Sequence, residues 1–142
     1  MIRIYTRMVA DLFHPGHVAF LQTARQLGDH LTVYVLPDTL VESRKGKLPV
    51  MTQTERGRVL SACRYVDAVL FDAPLETTLD FMQQHRFDLY AFAGATPKER
   101  RQKFALSHSL PQAMIRELEY TQGISTSLII GRIRDLNKGC NR

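Results

Sequence analysis

The feature that most limits what this chain can become is alternation. Short apolar runs rich in β-branched residues are separated by segments with helical spacing along its whole length. Residues 2–9 (IRIYTRMV), 31–36 (LTVYVL), 68–72 (AVLFD) and 88–93 (DLYAFA) predict strands, and 113–119 (AMIRELE) a fifth, shorter one. Val18, Leu21, Ala24 and Leu27 share one face of a helix expected over 17–28, which Gly28 should end in a left-handed conformation. Thr52 or Thr54 can cap a helix running to about Cys63, with Val59, Leu60 and Ala62 facing inward. Further helices are expected over 76–85, 97–106 and 125–136, while 39–51 reads as a basic, proline-ended loop.

Strands separated by helices pair in parallel, because a parallel connection needs a crossover. Strands that are apolar on both faces fit a sheet covered on both sides. The expectation is one doubly wound α/β domain over residues 1–142, with a mainly parallel five-stranded sheet. Such sheets bind ligands beyond the carboxyl ends of their strands, where the strand order reverses. The first strand-to-helix turn is the place to look.

That turn reads Asp11-Leu12-Phe13-His14-Pro15-Gly16-His17. Pro15 fixes its own φ and Gly16 lets backbone approach a ligand closely. The free N–H groups and positive dipole of a helix start favour an anion. Two imidazoles there can donate to phosphate oxygens, as phosphoryl or nucleotidyl transfer requires. Two histidines three residues apart also suit half a metal site, but no further ligands at suitable spacing accompany them. A second signal is Tyr120-Thr121-Gln122-Gly123-Ile124-Ser125-Thr126-Ser127, where Ser125 or Thr126 can cap the last helix. Taken alone it reads more readily as a well-capped helix than as a second anion site.

His14-Pro15-Gly16-His17, Arg64-Tyr65-Val66-Asp67 and Gly123-Ile124-Ser125-Thr126 together resemble the cytidylyltransferases acting on glycerol 3-phosphate, phosphocholine and phosphoethanolamine. Asp11-Leu12-Phe13, Gly28-Asp29 and Glu55-Arg56 extend the resemblance, which covers residues 2 to about 134. It implies a Rossmann-like fold, a homodimer, and attack of an acceptor phosphate on the α-phosphate of CTP with Mg²⁺ present. By position, His14 and His17 would stabilise the transition state, and Ser125 and Thr126 would hold the β- and γ-phosphates. Lys47, with Lys45 as the alternative, would be a loop lysine closing on the phosphates. Val9, Ala10, Asp11, Gly16, Gly94, Gly123 and Ile124 would line the nucleotide site. Arg64 would lie near the acceptor, or else pair with Asp67.

Three positions depart from the family pattern. Met8-Val9-Ala10-Asp11 stands where the family has Gly-x-Phe-Asp, Tyr120 replaces an arginine, and Gly94-Ala95 replaces Gly-Asp. If the fifth strand runs on to 120, Arg116 shares a face with Tyr120 and could serve the missing arginine's phosphate. Otherwise it would pair with Glu117 or Glu119. Parts of the pattern also look similar to a branch that cytidylylates phosphonates, such as 2-hydroxyethylphosphonate. An ATP-dependent adenylyltransferase of the same fold and a nucleotide-binding regulator without turnover are the competing readings.

Composition sets the remaining bounds. Hydrophobic residues are 44% and charged residues 23%, the balance of an ordinary globular domain. No apolar run approaches the ~20 residues that cross a bilayer. Met1-Ile2-Arg3-Ile4-Tyr5 starts a strand rather than a signal peptide. Cys63 and Cys140 lack metal-like spacing, and a reduced, cytoplasmic setting suits them. The charge of +5 comes from Arg44 to Lys47, Lys98 to Lys103, Arg132 to Arg142 and scattered positions. It agrees with anionic small molecules, and no aromatic-basic array supports nucleic acid as a partner.

Overall fold

The computed structural model describes residues 1–140. Asn141 and Arg142, the end of the terminal basic group, lie outside the described residues, as does the Cys140 side chain. Five strands, β1 (Arg3–Met8), β2 (His30–Val35), β3 (Ala68–Leu70), β4 (Leu89–Phe92) and β5 (Ile115–Glu117), form one sheet in the order β3-β2-β1-β4-β5. Every pairing is parallel. β1 is central: it pairs with β2 over six residues and with β4 on its other side. The order reverses between β1 and β4, which is where an open parallel sheet leaves a crevice.

The sheet's period of two sorts the side chains into two cores. Ile4, Leu31, Val33, Val35 and Ala91 point to one face. There they meet Leu21 and Ala24 of α1 (Pro15–Arg25) and Leu60 of α3 (Gln53–Ser61). Tyr5, Tyr34, Leu36, Tyr90 and Phe92 point to the other face. They pack on Val41 of α2 (Asp38–Lys45) and on Phe81 and Met82 of α4 (Leu79–Gln84). Tyr5 is the centre of this second core, with its ring 5.0 Å from both Phe81 and Phe87. Each large apolar side chain so buried contributes about 1.5–3 kcal/mol. α5 (Pro97–Ala105) has no fully buried residue, Lys103 being half-buried, and α6 (Thr126–Cys140) continues four residues past the expected Leu136.

Several expectations need correction. Residues 39–51 are not all loop, since Asp38–Lys45 forms α2. Gly28 is not left-handed; α1 ends on Gln26 in the right-handed region. Gly28 is required for space instead, because a Cβ there would meet Ile2 at 2.7 Å. Ala62 is exposed rather than inward. β5 is three residues long, with a 3-10 turn over Gln112–Met114 before it. Tyr120 therefore lies beyond the strand and does not share a strand face with Arg116. Thr52 caps α3 as expected, in a reciprocal capping box with Glu55.

Candidate active site

Beyond the carboxyl end of β1 the chain makes a tight turn before α1. Ala10 and Leu12 both adopt the left-handed region there, at φ 56° and 49°. For residues with a Cβ this costs on the order of 1–2 kcal/mol each, so the turn must be held from outside. Arg56, 0% exposed, does much of the holding. Its guanidinium donates to the carbonyls of Val9 (2.7 Å), Leu36 (2.8 Å) and Met51 (3.0 Å) and to Asp38 Oδ1 (2.5 Å). Asp11 supplies a second anchor. Its carboxylate, 6% exposed in the whole residue, accepts from the N–H groups of Val50 (2.8 Å) and Met51 (3.0 Å). Asp11 thus ties the loop that carries Lys47 to the first turn.

The turn delivers the histidines in a defined state. His14 is the N-cap of α1 and Pro15 its first residue. His14 Nδ1 accepts from Gly16 N–H at 3.0 Å, and His17 Nδ1 accepts from His14 N–H at 3.2 Å. Accepting at Nδ1 leaves the proton on Nε2, so the hydrogen-bond pattern assigns both rings as Nε2–H tautomers. The rings stack with centroids 3.8 Å apart. Burial pushes the His17 imidazole down to about 4, and the neighbouring His14 adds to the effect. His14 is also lowered by burial. At neutral pH the pair is two uncharged rings, each with one N–H to give. Gly16 is obligatory beside them, because a Cβ there would fall 2.8 Å from His14 Cε1.

A second helix start faces the first. Ser125 Oγ accepts from Leu128 N–H at 3.2 Å and caps α6. Thr126 Oγ1 donates to the Asp11 carbonyl at 2.9 Å, joining the two turns across 115 residues of sequence. The first N–H groups of both helices have no intrahelical acceptor and both dipoles present their positive ends. Between them opens a cleft of about 620 Å³, a usual size for a small-molecule site.

The structure brings together most residues singled out in the sequence. Val9, Ala10, Asp11, His14, Gly16, His17, Lys45, Lys47, Tyr120, Ile124, Ser125 and Thr126 all line the cleft. Lys45 is the lysine whose charge reaches His17 and helps lower it. Gly94 and Gly123 do not line the cleft. A Cβ at Gly94 would strike Arg100 at 2.6 Å, and Gly123 holds a φ of 86° that turns the chain into α6. Arg64 is exposed and lies in the connection entering β3, at the amino edge of the sheet and away from the cleft. Asp67 pairs with Arg25 at 2.9 Å, not with Arg64. Arg116 donates to the carbonyls of Ala113 and Ile115 and is absent from the cleft wall, while Glu117 pairs with Arg100.

Sequence reasoning gave no site role to Arg56, Arg7, Lys103 or Glu119. Arg7, Lys103 and Glu119 line the cleft. Arg7 carried one legible signal, a charge at the far end of an otherwise mostly apolar first strand.

Comparison with known proteins follows the same lines. A family model described as cytidylyltransferase-like matches residues 9–132. A probable ethanolamine-phosphate cytidylyltransferase of Encephalitozoon cuniculi is 34% identical over 91% of this chain. The chain spans 40% of that relative's length. An FAD synthase of Pyrococcus abyssi is 34% identical over 95% of the chain and 94% of its own length. A lipopolysaccharide core biosynthesis protein from Thermoplasma volcanium superposes with a TM-score of 0.61 at 21% identity, covering 87% of this chain and 99% of its own. That likeness speaks for the fold.

Proposed function

The chain belongs to the cytidylyltransferase-like family, and on that premise we propose that it transfers CMP from CTP to a small acceptor carrying a phosphate or phosphonate. The carrying observation is the convergence of two helix starts on two Nε2–H imidazoles. A triphosphate laid between α1 and α6 would meet the free N–H groups of both helix starts, with Lys45 and Lys47 in the same cleft wall. An acceptor oxygen attacks the α-phosphorus, a new P–O bond forms, and the bond to the β-phosphate oxygen breaks. Pyrophosphate leaves with the electron pair. Negative charge grows on the non-bridging and leaving oxygens, where preorganised donors act most strongly. Neutral imidazoles give up no proton to do this.

Mg²⁺ would enter with the nucleotide and shield the triphosphate and leaving pyrophosphate. Among the described residues no group of three His, Cys, Asp or Glu side chains could cage a cation. Asp11 is occupied by two backbone N–H groups and Glu99 by Lys103. Phosphate oxygens and water would supply most ligands, as Mg²⁺ prefers, with Glu119 the cleft carboxylate left over.

A second reading, adenylyl transfer from ATP, is favoured by one observation: the FAD synthase relative matches along nearly its whole length. Pyrophosphate release from CTP and from ATP, each with a panel of phosphate and phosphonate acceptors, separates the two. Release with ATP alone overturns the cytidylyl assignment, and no release with either overturns transfer. A homodimer belongs to the same proposal, since Leu128, Ile133 and Leu136 leave apolar surface exposed along α6; sedimentation velocity measures it. So does a cytoplasmic, reducing setting, in keeping with the free Cys63 thiol. No described helix is long and apolar enough to cross a membrane.

A further inference from the structure

The cleft runs past the sheet edge, and its lobe towards the other face is lined by Arg7 of β1 and Val41 of α2. His14 and His17 sit on the α1 side, with the core of Leu21 and Ala24. Arg7 points the opposite way, into the face that carries Tyr34 and Tyr90. Its guanidinium lies 5.6 Å from the Tyr34 ring centroid, and Nη1 donates to the Leu75 carbonyl. Nη2 is shielded from solvent and has no hydrogen-bond partner. A charged donor left so is costly unless something absent from the free protein satisfies it.

The surroundings add positive charge rather than cancel it. Arg44 on α2 does not line the cleft; burial lowers it, and it stands close enough for the charge of Arg7 to lower it further. Lys103 on α5 is lowered by burial, and Lys45 and Arg44 contribute in the same direction, against Glu99. Lys103 donates to the Ala93 carbonyl at 2.6 Å at the end of β4. The acids nearby are committed or distant: Glu99 is 3.4 Å from Lys103, and Glu76 faces His108. Asp72 is felt at Tyr34. Among the described residues neither Arg7 nor Arg44 forms an ion pair. Arg7, Arg44, Lys45 and Lys103 outnumber the carboxylates Glu99, Asp72 and Glu119, a balance that favours an anion over a cation.

We propose that Arg7, supported by Arg44 and Lys103, forms the subsite for the far end of the acceptor and selects one bearing a second anionic group, a carboxylate or phosphate. The proposal rests on the transferase reading and deepens it. The reacting phosphate belongs beside the histidines on the α1 face; the lobe across the sheet edge receives the remainder of the molecule. A guanidinium fork suits a planar carboxylate or a phosphate in two-point contact. An ammonium head, such as that of ethanolamine phosphate, meets net repulsion there, and rejection by like charge is an effective means of specificity.

The test uses CTP with Mg²⁺ and three acceptors that differ at the far end: 2-phosphoglycolate (anionic), glycerol 3-phosphate (neutral) and phosphocholine (cationic). Turnover is read by pyrophosphate release and binding by calorimetry. Wild type should favour them in that order. Arg7→Gln should raise KM for 2-phosphoglycolate about 100-fold, hold KM for CTP within about threefold, and narrow the preference over phosphocholine. Arg7→Lys should recover part of the loss, which a merely structural role would not predict. A wild-type preference for phosphocholine, or an equal loss for all three acceptors in Arg7→Gln, overturns the subsite. Absence of pyrophosphate release throughout would sink the transferase reading instead. In that case Arg7-dependent binding of 2-phosphoglycolate still upholds the subsite, and binding indifferent to Arg7→Gln overturns it.

Discussion

The two helix starts that face each other across the cleft are built very differently. The α1 start sits on a turn with two left-handed non-glycine residues, held by Arg56, by the Asp11 carboxylate and by a reciprocal cap between its own histidines. The α6 start has one left-handed glycine, one serine cap and one hydroxyl bond back to Asp11. α6 itself buries no side chain, as far as its residues are described. The first start is over-determined and stores strain; the second is lightly attached. Strain persists only where the surroundings enforce it, so the α1 half should set the geometry of the chemistry. The α6 half is then free to adjust around the phosphates.

The hardest way to break this contrast is at Arg56. Arg56→Ala leaves three carbonyls and the Asp38 carboxylate without their donor and should destabilise the protein by about 3–5 kcal/mol. A thermal melt should show a fall in Tm of more than about 10 °C. A fall of only a degree or two would mean the first turn stands without its buried guanidinium. His17→Ala should lower kcat roughly 10²- to 10³-fold with little change in nucleotide binding, the range for one transition-state donor. Near-wild-type turnover in a folded variant would remove the imidazole from the mechanism.

The same residue predicts an acid limb. The unfolded chain protonates His17 near 6.5, whereas the folded chain resists until about 4. Protons therefore favour the unfolded state over that interval. Stability should be unaffected by this group above about pH 7, decline as pH falls through 6.5, and level off below about 4. Subtracting the Tm profile of His17→Ala from that of wild type isolates the effect; parallel profiles would contradict it. Next in size, Lys45→Ala should raise the nucleotide KM about tenfold and Lys47→Ala less, since Lys45 is the cation that reaches His17. Steady-state kinetics would show the reverse order if Lys47 is the closing lysine. Smallest of all, Gly131→Ala in α6, where an added Cβ meets nothing within 4 Å, should raise stability by up to about 1 kcal/mol. An unchanged melt would indicate that α6 already frays before the body unfolds.

The parts that were legible are those where one physical rule dominates. β1 and β2 announce themselves because central parallel strands are apolar on both faces. The histidine turn is legible because residue type, Pro-Gly geometry and position after the first strand coincide. α2 is hidden because a short helix with a single buried residue, Val41, leaves almost no periodicity to read. Arg56 is hidden for the opposite reason. A charged residue in a capped helix reads as solvent-facing, yet it occupies the same face as Gly57 and Leu60, both buried. Arg116 misled because the strand was carried on to 120. The last strand-like bond is in fact Leu118 N–H to the Phe92 carbonyl, after which the chain turns away.

The histidine cap has one more consequence, for coordination chemistry. A transition metal needs a lone pair from each imidazole, and the two at Nδ1 are already committed to backbone N–H groups. A metal at Nε2 would displace the proton there and force it onto Nδ1, where it would point at the Gly16 and His14 N–H groups. Ligation by the pair would therefore uncap α1. Two histidines that look from their spacing like half of a chelate are kept by the peptide backbone as hydrogen donors.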